Sequence, residues 1–430
     1  MESSMNKESM TTTEKVEKNL AKRYRAEKRF QLYGVLSIAF GILCLVALFT
    51  DIIGKGHSAF LQTRIAITVQ YDADKLGITD VLDDEQIRLA NFDAIVRDAI
   101  RSRFPDVSGR TPRRQLSALL SNSASYQLMD ELRANPKLLG TEQTIWVLAD
   151  DDVDSYYKVL KKEGLNGRLN DEQVAWVNSL AESGELRKQF NTTFFTASAS
   201  REPEQAGILG AILGTVFTLF VTLALSFPIG VASAIYLEEY APKNKLTEFI
   251  EININNLAAV PSIIFGLLGL AIFINLFGMT RSIPLVGGIV LTLMTLPTII
   301  ISSRAAIKAV PPSIREAAMG IGASKMQVVL HHVLPLAMPG MLTGTIIGMA
   351  QALGETAPLL MIGMVAFIVD LPSGITDPAA VLPVQIFLWA DSPERAFVER
   401  TSAAIMVLLA FLILMNTSAV LLRKRLERRW

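Results

Sequence analysis

The sequence predicts an all-α polytopic membrane protein with six transmembrane helices and one α+β domain inserted after the first of them. Half of the 430 residues are hydrophobic and only 19% are charged, which is too apolar for an ordinary soluble protein. Six apolar segments reach the roughly 20 residues that a helix needs to cross a bilayer. One long segment between the first two has the mixed composition of a soluble domain.

Glu355 is the only Asp, Glu, Lys, Arg or His in the six predicted spans. A carboxylate at bilayer depth costs roughly 2.5 to 3.5 kcal/mol on insertion scales, so we expect it to have a function. The fifth span would measure roughly 50 Å as one helix, so it must tilt, kink or leave the bilayer. The spans cover residues 31–50, 207–236, 256–279, 284–303, 337–369 and 401–422.

Basic residues orient the chain, because Lys and Arg in short loops stay on the cytoplasmic side of a membrane. Five of them, from Lys22 to Arg29, precede the first span, and the loop 304–336 and the tail RKRLERRW are also basic. Both termini are therefore predicted to be cytoplasmic.

Four regions follow from this orientation. They are a cytoplasmic tail (1–29), a first transmembrane helix (30–51), a periplasmic domain (52–206) and a transmembrane domain (207–430). A cleaved signal peptide is the alternative for the first span. It is disfavoured because the basic leader is long and TDIIGKGHSAF contains no small-x-small cleavage site.

The segment 52–206 combines strand and helix patterns. TRIAITVQY alternates like a strand, and amphipathic helical stretches follow it. Two of these, DDEQIRLAN and NDEQVAWVN, begin with the capping residues Asp83 and Asn170, each with glutamine three residues later. Their likeness reflects either a duplication or the shared chemistry of helix capping.

Candidate metal ligands do not complete a site in the sequence. Asp150, Asp152 and Asp154 have the alternate spacing of a calcium loop, but the glycine and final glutamate of an EF-hand are missing. A solvated acidic turn is therefore favoured, and no metal ligand is predicted. His331 and His332 are adjacent, so on a helix they point about 100° apart and cannot chelate together.

Other ligand patterns are weak. Six arginines between Arg97 and Arg114 favour a solvated helix face over an anion site, because Asp98 and Asp106 lie among them. No G-x-x-x-x-G-K-[ST] sequence occurs, so the chain is not expected to bind a nucleotide through a P-loop. Nothing indicates nucleic-acid binding, and no catalytic residue or cofactor of this chain is predicted.

The loop 304–336 predicts two short helices joined at glycine. Pro311 and Pro312 fit the start of a helix, since the first turn needs no amide donor there. That helix, SIREAAMGI, is interrupted by Gly320 and Gly322, and a second amphipathic piece runs through KMQVVLHHVL. A rigid elbow of this kind suits a docking element in the cytoplasm.

The elbow resembles the coupling loop of bacterial ABC importer permeases. The shared pattern is E-A-A-x-x-x-G, then nine residues, an apolar position, one residue and L-P, with His332 departing from it at the apolar position. The resemblance implies that 312–335 inserts into a groove on a separate ATPase subunit and transmits its closure to the membrane helices. The matching residues are Glu316, Ala317, Ala318, Gly322, Leu334 and Pro335.

Three further stretches narrow the resemblance to the PstA family of phosphate importer permeases. They are GVASAIYLEEYAP (230–242), NLAAVPSIIFGLLGL (256–270) and LGETAPLL (353–360). The resemblance implies the type I ABC importer permease fold, the bacterial inner membrane and transport of inorganic phosphate. It also implies the partners: a PstC-like second permease subunit, two PstB-like ATPase subunits that bind ATP and Mg²⁺, a PstS-like periplasmic phosphate-binding protein, and membrane lipid.

The stretch around Glu355 is the predicted translocation pathway. Pro358 predicts a kinked or broken helix, because its ring clashes with the carbonyl of Gly354, and Thr356 could supply a partner for that carbonyl. Glu355 has three possible roles. It could pair with an arginine of the second permease subunit, accept a hydrogen bond from protonated phosphate, or be neutral and structural. The pairing with arginine is favoured. Related permeases often carry Arg where this chain has Gln351, so the compensating charge is expected from elsewhere.

The transmembrane spans by themselves are also compatible with a secondary transporter or a membrane sensor. A secondary transporter also has apolar spans with one buried acid, but it gives no reason for the elbow. A membrane sensor needs a cytoplasmic signalling domain, and the longest inner loop has only about 33 residues. An importer permease for another oxyanion is the nearest alternative to phosphate.

Overall fold

The computed structural model describes residues 12–79 and 83–426. The start of the predicted cytoplasmic tail and the last four residues of RKRLERRW therefore lie outside the described residues. Two compact units divide the chain, Met1–Gly54 and Lys55–Trp430.

A single long helix, α1 (Thr12–Gly56), contains the first predicted span. Every large apolar side chain from Phe30 to Leu48 is exposed. An α-helix satisfies its own backbone hydrogen bonds, so an apolar surface of this kind is suited to contact with lipid. No break separates the predicted tail from the predicted span.

A three-stranded antiparallel sheet organises residues 57–206, which we call the sheet region. Its spatial order is β2-β1-β3, with β1 at Leu61–Gln70, β2 at Glu142–Leu148 and β3 at Leu186–Phe190. The helices of the region are α2 (Ala73–Leu76), α3 (Asp84–Leu89), α4 (Phe92–Arg103), α5 (Arg110–Ser117), α6 (Ala124–Ala134), α7 (Asp151–Ser155), α8 (Lys161–Glu163), α9 (Asp171–Glu182) and α10 (Thr192–Thr196).

Alternating burial along β1 explains how the sheet region packs. Ile65, Ile67 and Val69 are buried in one apolar core with Ile100 of α4 and Leu128 of α6. The strand predicted from TRIAITVQY is thus confirmed, since its apolar residues lie on one face of the pleat.

Both predicted helix caps are also confirmed. The Asp83 side chain accepts hydrogen bonds from the amides of Glu85 and Gln86. Asn170 forms a reciprocal capping box with Gln173. These side chains satisfy amides that have no partner within their own helix.

The rest of the chain is helical. Its helices are α11 (Leu209–Ile235), α12 (Lys245–Ala258), α13 (Ser262–Gly269), α14 (Pro284–Lys308), α15 (Pro312–Gly320), α16 (Lys325–Gln327), α17 (Leu334–Gly354), α18 (Ala357–Met361), α19 (Leu382–Ala390) and α20 (Ala396–Leu426). π-helical turns extend α11 (Tyr236–Tyr240) and α13 (Leu270–Leu276) and join α16 to α17 (Val328–Val333).

Five helices in the described part of the chain are long and apolar enough to cross a membrane. The α12 and α13 helices add a sixth span only if they are counted together across a bend of 101°. The predicted span 256–279 therefore begins in the last turn of α12 and continues beyond this bend. Six spans stay a prediction.

Small and hydroxyl-bearing residues let α11 and α14 pack closely. A Cβ atom on Gly288 would lie 2.5 Å from the Val221 side chain. The Thr222 hydroxyl donates to the Gly288 carbonyl at 3.3 Å, and the Thr292 hydroxyl donates to the same carbonyl at 2.7 Å. Packing through small residues and hydroxyl groups is typical of helices in membranes.

The predicted fifth span, 337–369, is not one continuous helix. The break begins three residues before Pro358, because α17 ends at Gly354 and Glu355 has extended backbone angles (φ −79°, ψ 124°). The short helix α18 follows, and a left-handed turn at Gly363 (φ 90°) leads into irregular chain as far as residue 381. Of the three expected outcomes, a tilt, a kink or an exit from the bilayer, the structure shows a broken helix, as Pro358 predicts.

Buried charges connect the sheet region to α20. The Lys158 ammonium lies 2.6 Å from Asp154 Oδ2 and 3.7 Å from Glu399 Oε2, and all three side chains are largely buried. The buried Arg400 donates from Nη1 to the Ala206 carbonyl at 2.8 Å. These contacts join the sheet region to α20 within the unit Lys55–Trp430.

Candidate functional site

The loop that follows α14 contains one separate short helix, α15, as predicted. The second predicted short helix is instead the start of a continuous helix that runs from Lys325 through the π-helical turn into α17. We call residues 312–335 the elbow. Helix α15 starts with Pro312 in its first turn and ends at Gly320. Gly322 then turns the chain with φ 91°, a conformation that glycine adopts without steric cost. Ser324 and Gln327 form a capping box that starts α16. Local residue chemistry therefore specifies both helix ends.

The residues that match the importer pattern occupy different faces of the elbow. Glu316 and Ala317 are exposed, whereas Ala318 is buried in an apolar cluster with residues of α14 and α17. Leu334 and Pro335 are half-buried at the base, where α17 begins. The elbow thus presents one face outward and packs the other against the membrane helices.

An exposed apolar patch surrounds the glycine turn. Ile321 is 84% exposed and Met326 is 62% exposed, and Met319 and Leu330 are also exposed. These residues were not predicted from the sequence, although apolar side chains on both sides of a glycine break in a loop indicate a contact surface. Contiguous exposed apolar surface marks interaction sites.

The adjacent histidines lie beside the elbow. His331 and His332 are exposed and line a cleft of about 730 Å³ with Val310, Pro311 and Ile314.

Ion pairs hold the base of the elbow. Arg304 contacts Glu238 through Nε and Glu251 through Nη2, the latter at 2.7 Å. Arg315 of α15 contacts Glu239 at 2.8 Å. None of these pairs was predicted, because the partners lie more than 50 residues apart in the sequence.

The break between α17 and α18 exposes backbone. Pro358 lies in the first turn of α18 and has no amide hydrogen, so it cannot donate to the Gly354 carbonyl. The Thr356 hydroxyl makes no hydrogen bond within the described residues, so the help expected from it is not observed. The Thr356 carbonyl instead accepts from the Leu360 amide at 3.0 Å.

The Glu355 side chain is half-buried at this break, and no ion pair within the described chain involves it. Gln351, one turn earlier, is exposed. Pro358 is buried against α13, where a Cβ on Gly266 would lie 2.6 Å from the Pro358 Cα. The break is therefore held on one side by helix packing, while Gln351 remains accessible.

The acidic run in the sheet region is partly buried, so the predicted solvated turn is wrong. Asp150 caps α7 by accepting from the Asp152 amide at 3.1 Å. The carboxylates of Asp150, Asp151 and Asp152 lie within 4.8 Å of one another. Burial, and next the Asp151 charge, raise the pKa of Asp150 to about 8. Burial also raises the pKa of Glu204, although a hydrogen bond from Ser121 opposes this.

Two family models match different parts of the chain. One is described as a binding-protein-dependent transport system inner membrane component and matches residues 226–430. The other is described as a domain of unknown function, DUF3333, and matches residues 17–164. The second match therefore crosses the boundary predicted between the first helix and the inserted domain.

Curated relatives resemble about half of the chain. The chain is 34% identical to the probable ABC transporter permease protein YqgI of Bacillus subtilis, over 40% of the chain and 58% of YqgI. It is 30% identical to the phosphate transport system permease protein PstA 1 of Mycobacterium tuberculosis, over 53% of the chain and 74% of that relative. It is 32% identical to the phosphate transport system permease protein PstC of Haemophilus influenzae, over 52% of the chain and 76% of that relative.

Proposed function

Because the chain belongs to the family of binding-protein-dependent transport system inner membrane components, we propose that it is a permease subunit of an ATP-driven importer of inorganic phosphate. The observation that carries this proposal is the elbow, with its E-A-A-x-x-x-G pattern and exposed apolar patch. The named functions of the PstA and PstC relatives support phosphate as the substrate. Another oxyanion is the alternative.

The proposed assembly contains several other subunits. A PstC-like permease supplies the second wall of the pathway, and two PstB-like ATPases bind ATP and Mg²⁺ beneath the elbow. A PstS-like protein delivers phosphate from the periplasm. The chain crosses the bacterial inner membrane six times, with both termini in the cytoplasm and 52–206 in the periplasm.

The elbow transmits the state of the ATPase. Glu316 and Ala317 face outward beside Met319 and Ile321, so a groove on a partner can receive polar and apolar side chains together. An ATPase that binds two conformations of the permease with different affinity shifts the population between them. Alternating access follows when those conformations open the pathway to opposite sides.

The pathway lies at the break beside Glu355. Irregular backbone at membrane depth is tolerated only where it is covered by protein or lines a wet cavity. A half-buried carboxylate without a cationic partner in the described chain supports pairing with an arginine of the second permease subunit. Gln351 carries no charge that could take that role. A hydrogen bond to protonated phosphate and a neutral structural carboxyl are the other two interpretations.

Reconstitution tests the substrate and the energy source. The full chain is purified with its partner subunits and placed in proteoliposomes that contain Mg-ATP, with labelled phosphate and the binding protein outside. We expect uptake that requires ATP and is not reduced by excess sulfate. Uptake driven by an ion gradient without ATP would instead indicate a secondary transporter, and competition by sulfate would indicate a broader oxyanion importer.

A substitution in the apolar patch tests the docking role of the elbow. I321E places a charge in the proposed interface, so we expect the ATPase subunits no longer to co-purify with the chain. L89E is the matched control, because Leu89 is 75% exposed in the sheet region. Equal recovery of the ATPase with both variants would remove the elbow as the docking site.

A further inference from the structure

Arg315 points back toward the membrane helices, although its neighbour Glu316 is exposed. Its Nε and Nη2 atoms donate to the same carboxylate oxygen, Glu239 Oε1, at 3.1 and 2.8 Å. The Arg315 side chain is only 21% exposed and that of Glu239 only 11%. The pair is therefore shielded from water, where charge-assisted hydrogen bonds are stronger than at an open surface.

The same guanidinium also binds the end of α14. Arg315 Nη1 donates to the Val310 carbonyl at 2.7 Å, and Nη2 donates to the Ile307 carbonyl at 2.9 Å. The last carbonyls of a helix lack partners within it and carry partial negative charge, so they favour a cation. One side chain thus joins three elements: α15, the π-helical end of α11 and the end of α14.

Besides Arg315, a short linker and apolar contacts connect the elbow to the membrane helices. Only three residues, 309–311, separate α14 from α15, and Pro311 precedes Pro312 directly. Ala318 and Ile314 pack in the apolar cluster under α15. Apolar packing is not directional, whereas the planar fork of an arginine fixes orientation as well as distance.

We propose that Arg315 is the positioning residue that makes the elbow move as one body with α11 and α14. This inference rests on the proposed function, because it assumes that an ATPase pulls on the elbow. Without the guanidinium, closure of the ATPase is absorbed by rotation of α15 about residues 309–311. With it, the same closure moves the ends of two membrane helices together.

Glu238 and Glu239 belong to different ion-pair networks, and only Glu239 contacts Arg315. Glu238 contacts Arg304 and Lys308, so that network joins α14 to α11 and, through Glu251, to α12. Glu239 is the acid that reaches α15. A change at Arg315 or Glu239 therefore releases the elbow while leaving the Arg304 contacts in place.

The first test compares transport with ATP hydrolysis in the reconstituted complex. R315Q is expected to assemble and to hydrolyse ATP, while the phosphate moved per ATP falls about tenfold, a change typical of a lost coupling interaction. R315K keeps the charge, but one ammonium group cannot reach the Glu239 carboxylate and both carbonyl groups. We therefore expect an intermediate amount of phosphate moved per ATP. R103Q is the matched control, since Arg103 pairs with Glu185 at 2.7 Å in the sheet region.

The second test does not depend on transport. Hydrogen exchange of the full chain in lipid nanodiscs reports how firmly α15 is held, and R315Q should raise exchange across 313–321 by about tenfold. R103Q should leave that segment unchanged. If R315Q does not yield an intact chain, E239Q replaces it, and it should change both measurements in the same direction.

The outcomes separate the two proposals. Wild-type exchange and a wild-type ratio of phosphate to ATP in R315Q would overturn the positioning role. If the wild-type complex moves no phosphate, the proposed function fails, and the exchange measurement alone then decides whether Arg315 holds the elbow. A fall in transport and hydrolysis by the same factor would also overturn the inference, because it indicates lost complex rather than lost coupling.

Discussion

Replacing Lys158 by methionine tests the buried charges between the sheet region and α20. The Lys158 side chain is 3% exposed, and its partners Asp154 and Glu399 are 10% and 19% exposed. Removing one partner of a buried ion pair costs about 3 to 5 kcal/mol, because the remaining charge is left uncompensated. Asp154 keeps one hydrogen bond from the Thr63 amide at 2.7 Å, so we expect a loss near 3 kcal/mol.

Thermal denaturation of the full chain in detergent measures this loss. For a cooperative unit the size of the sheet region, 3 kcal/mol lowers the apparent Tm by roughly 6 to 12 °C. K75M is the matched control: Lys75 lies 2.7 Å from Asp98, nearly the same distance, but both side chains are about half exposed. Exposed pairs contribute about 0 to 1 kcal/mol, so K75M should lower the Tm by under about 4 °C.

A double variant tests whether the acid left without its cation causes the loss of stability in K158M. K158M/D154N removes one of the two acidic charges that K158M leaves without a cation and keeps the oxygen that accepts from Thr63, so it should be more stable than K158M alone. Equal, small shifts for K158M and K75M would show that the buried pair contributes no more than a surface pair.

Three further predictions follow from packing, titration and the pathway. Because burial raises the pKa of Asp150 from 3.8 to about 8, its stabilising protonated form is lost as pH rises. Stability measured from pH 4 to pH 8 should therefore fall more steeply in the wild type than in D150N, and equal slopes would contradict the assignment. G288A should destabilise the chain by about 1 to 3 kcal/mol through overpacking against Val221, whereas G34A, with no neighbour within 4 Å, should not; thermal denaturation distinguishes them. E355Q should abolish phosphate uptake while the ATPase subunits stay bound, and unchanged uptake would leave only the structural interpretation of Glu355.

Local chemistry explains what the sequence could predict. Pro312 and Gly322 define the helix ends of the elbow because each restricts or frees the backbone at its own position. Asp83 and Asn170 cap their helices for an equally local reason. The E-A-A-x-x-x-G pattern predicted which residues belong to the elbow, but it did not predict which of them face outward.

Features that depend on distant residues could not be predicted in the same way. Hydropathy cannot locate the point where an apolar segment leaves its helix, so it predicts 337–369 as one span although α17 ends at Gly354. The contact between Arg315 and Glu239 joins residues 76 positions apart. The surroundings of Asp154 and Lys158 likewise depend on Thr63 and Glu399, which approach them only in the folded chain.

The contacts between the sheet region and α20 also limit how the protein can be shortened. A chain without residues 60–200 would lose Lys158, leaving Glu399 without that cation near the start of an apolar helix. Failure of such a shortened chain would then report the loss of this buried ion pair together with the loss of the domain. A fair deletion therefore needs a neutral residue at position 399, and the same rule applies to any chimaera that exchanges the sheet region between relatives.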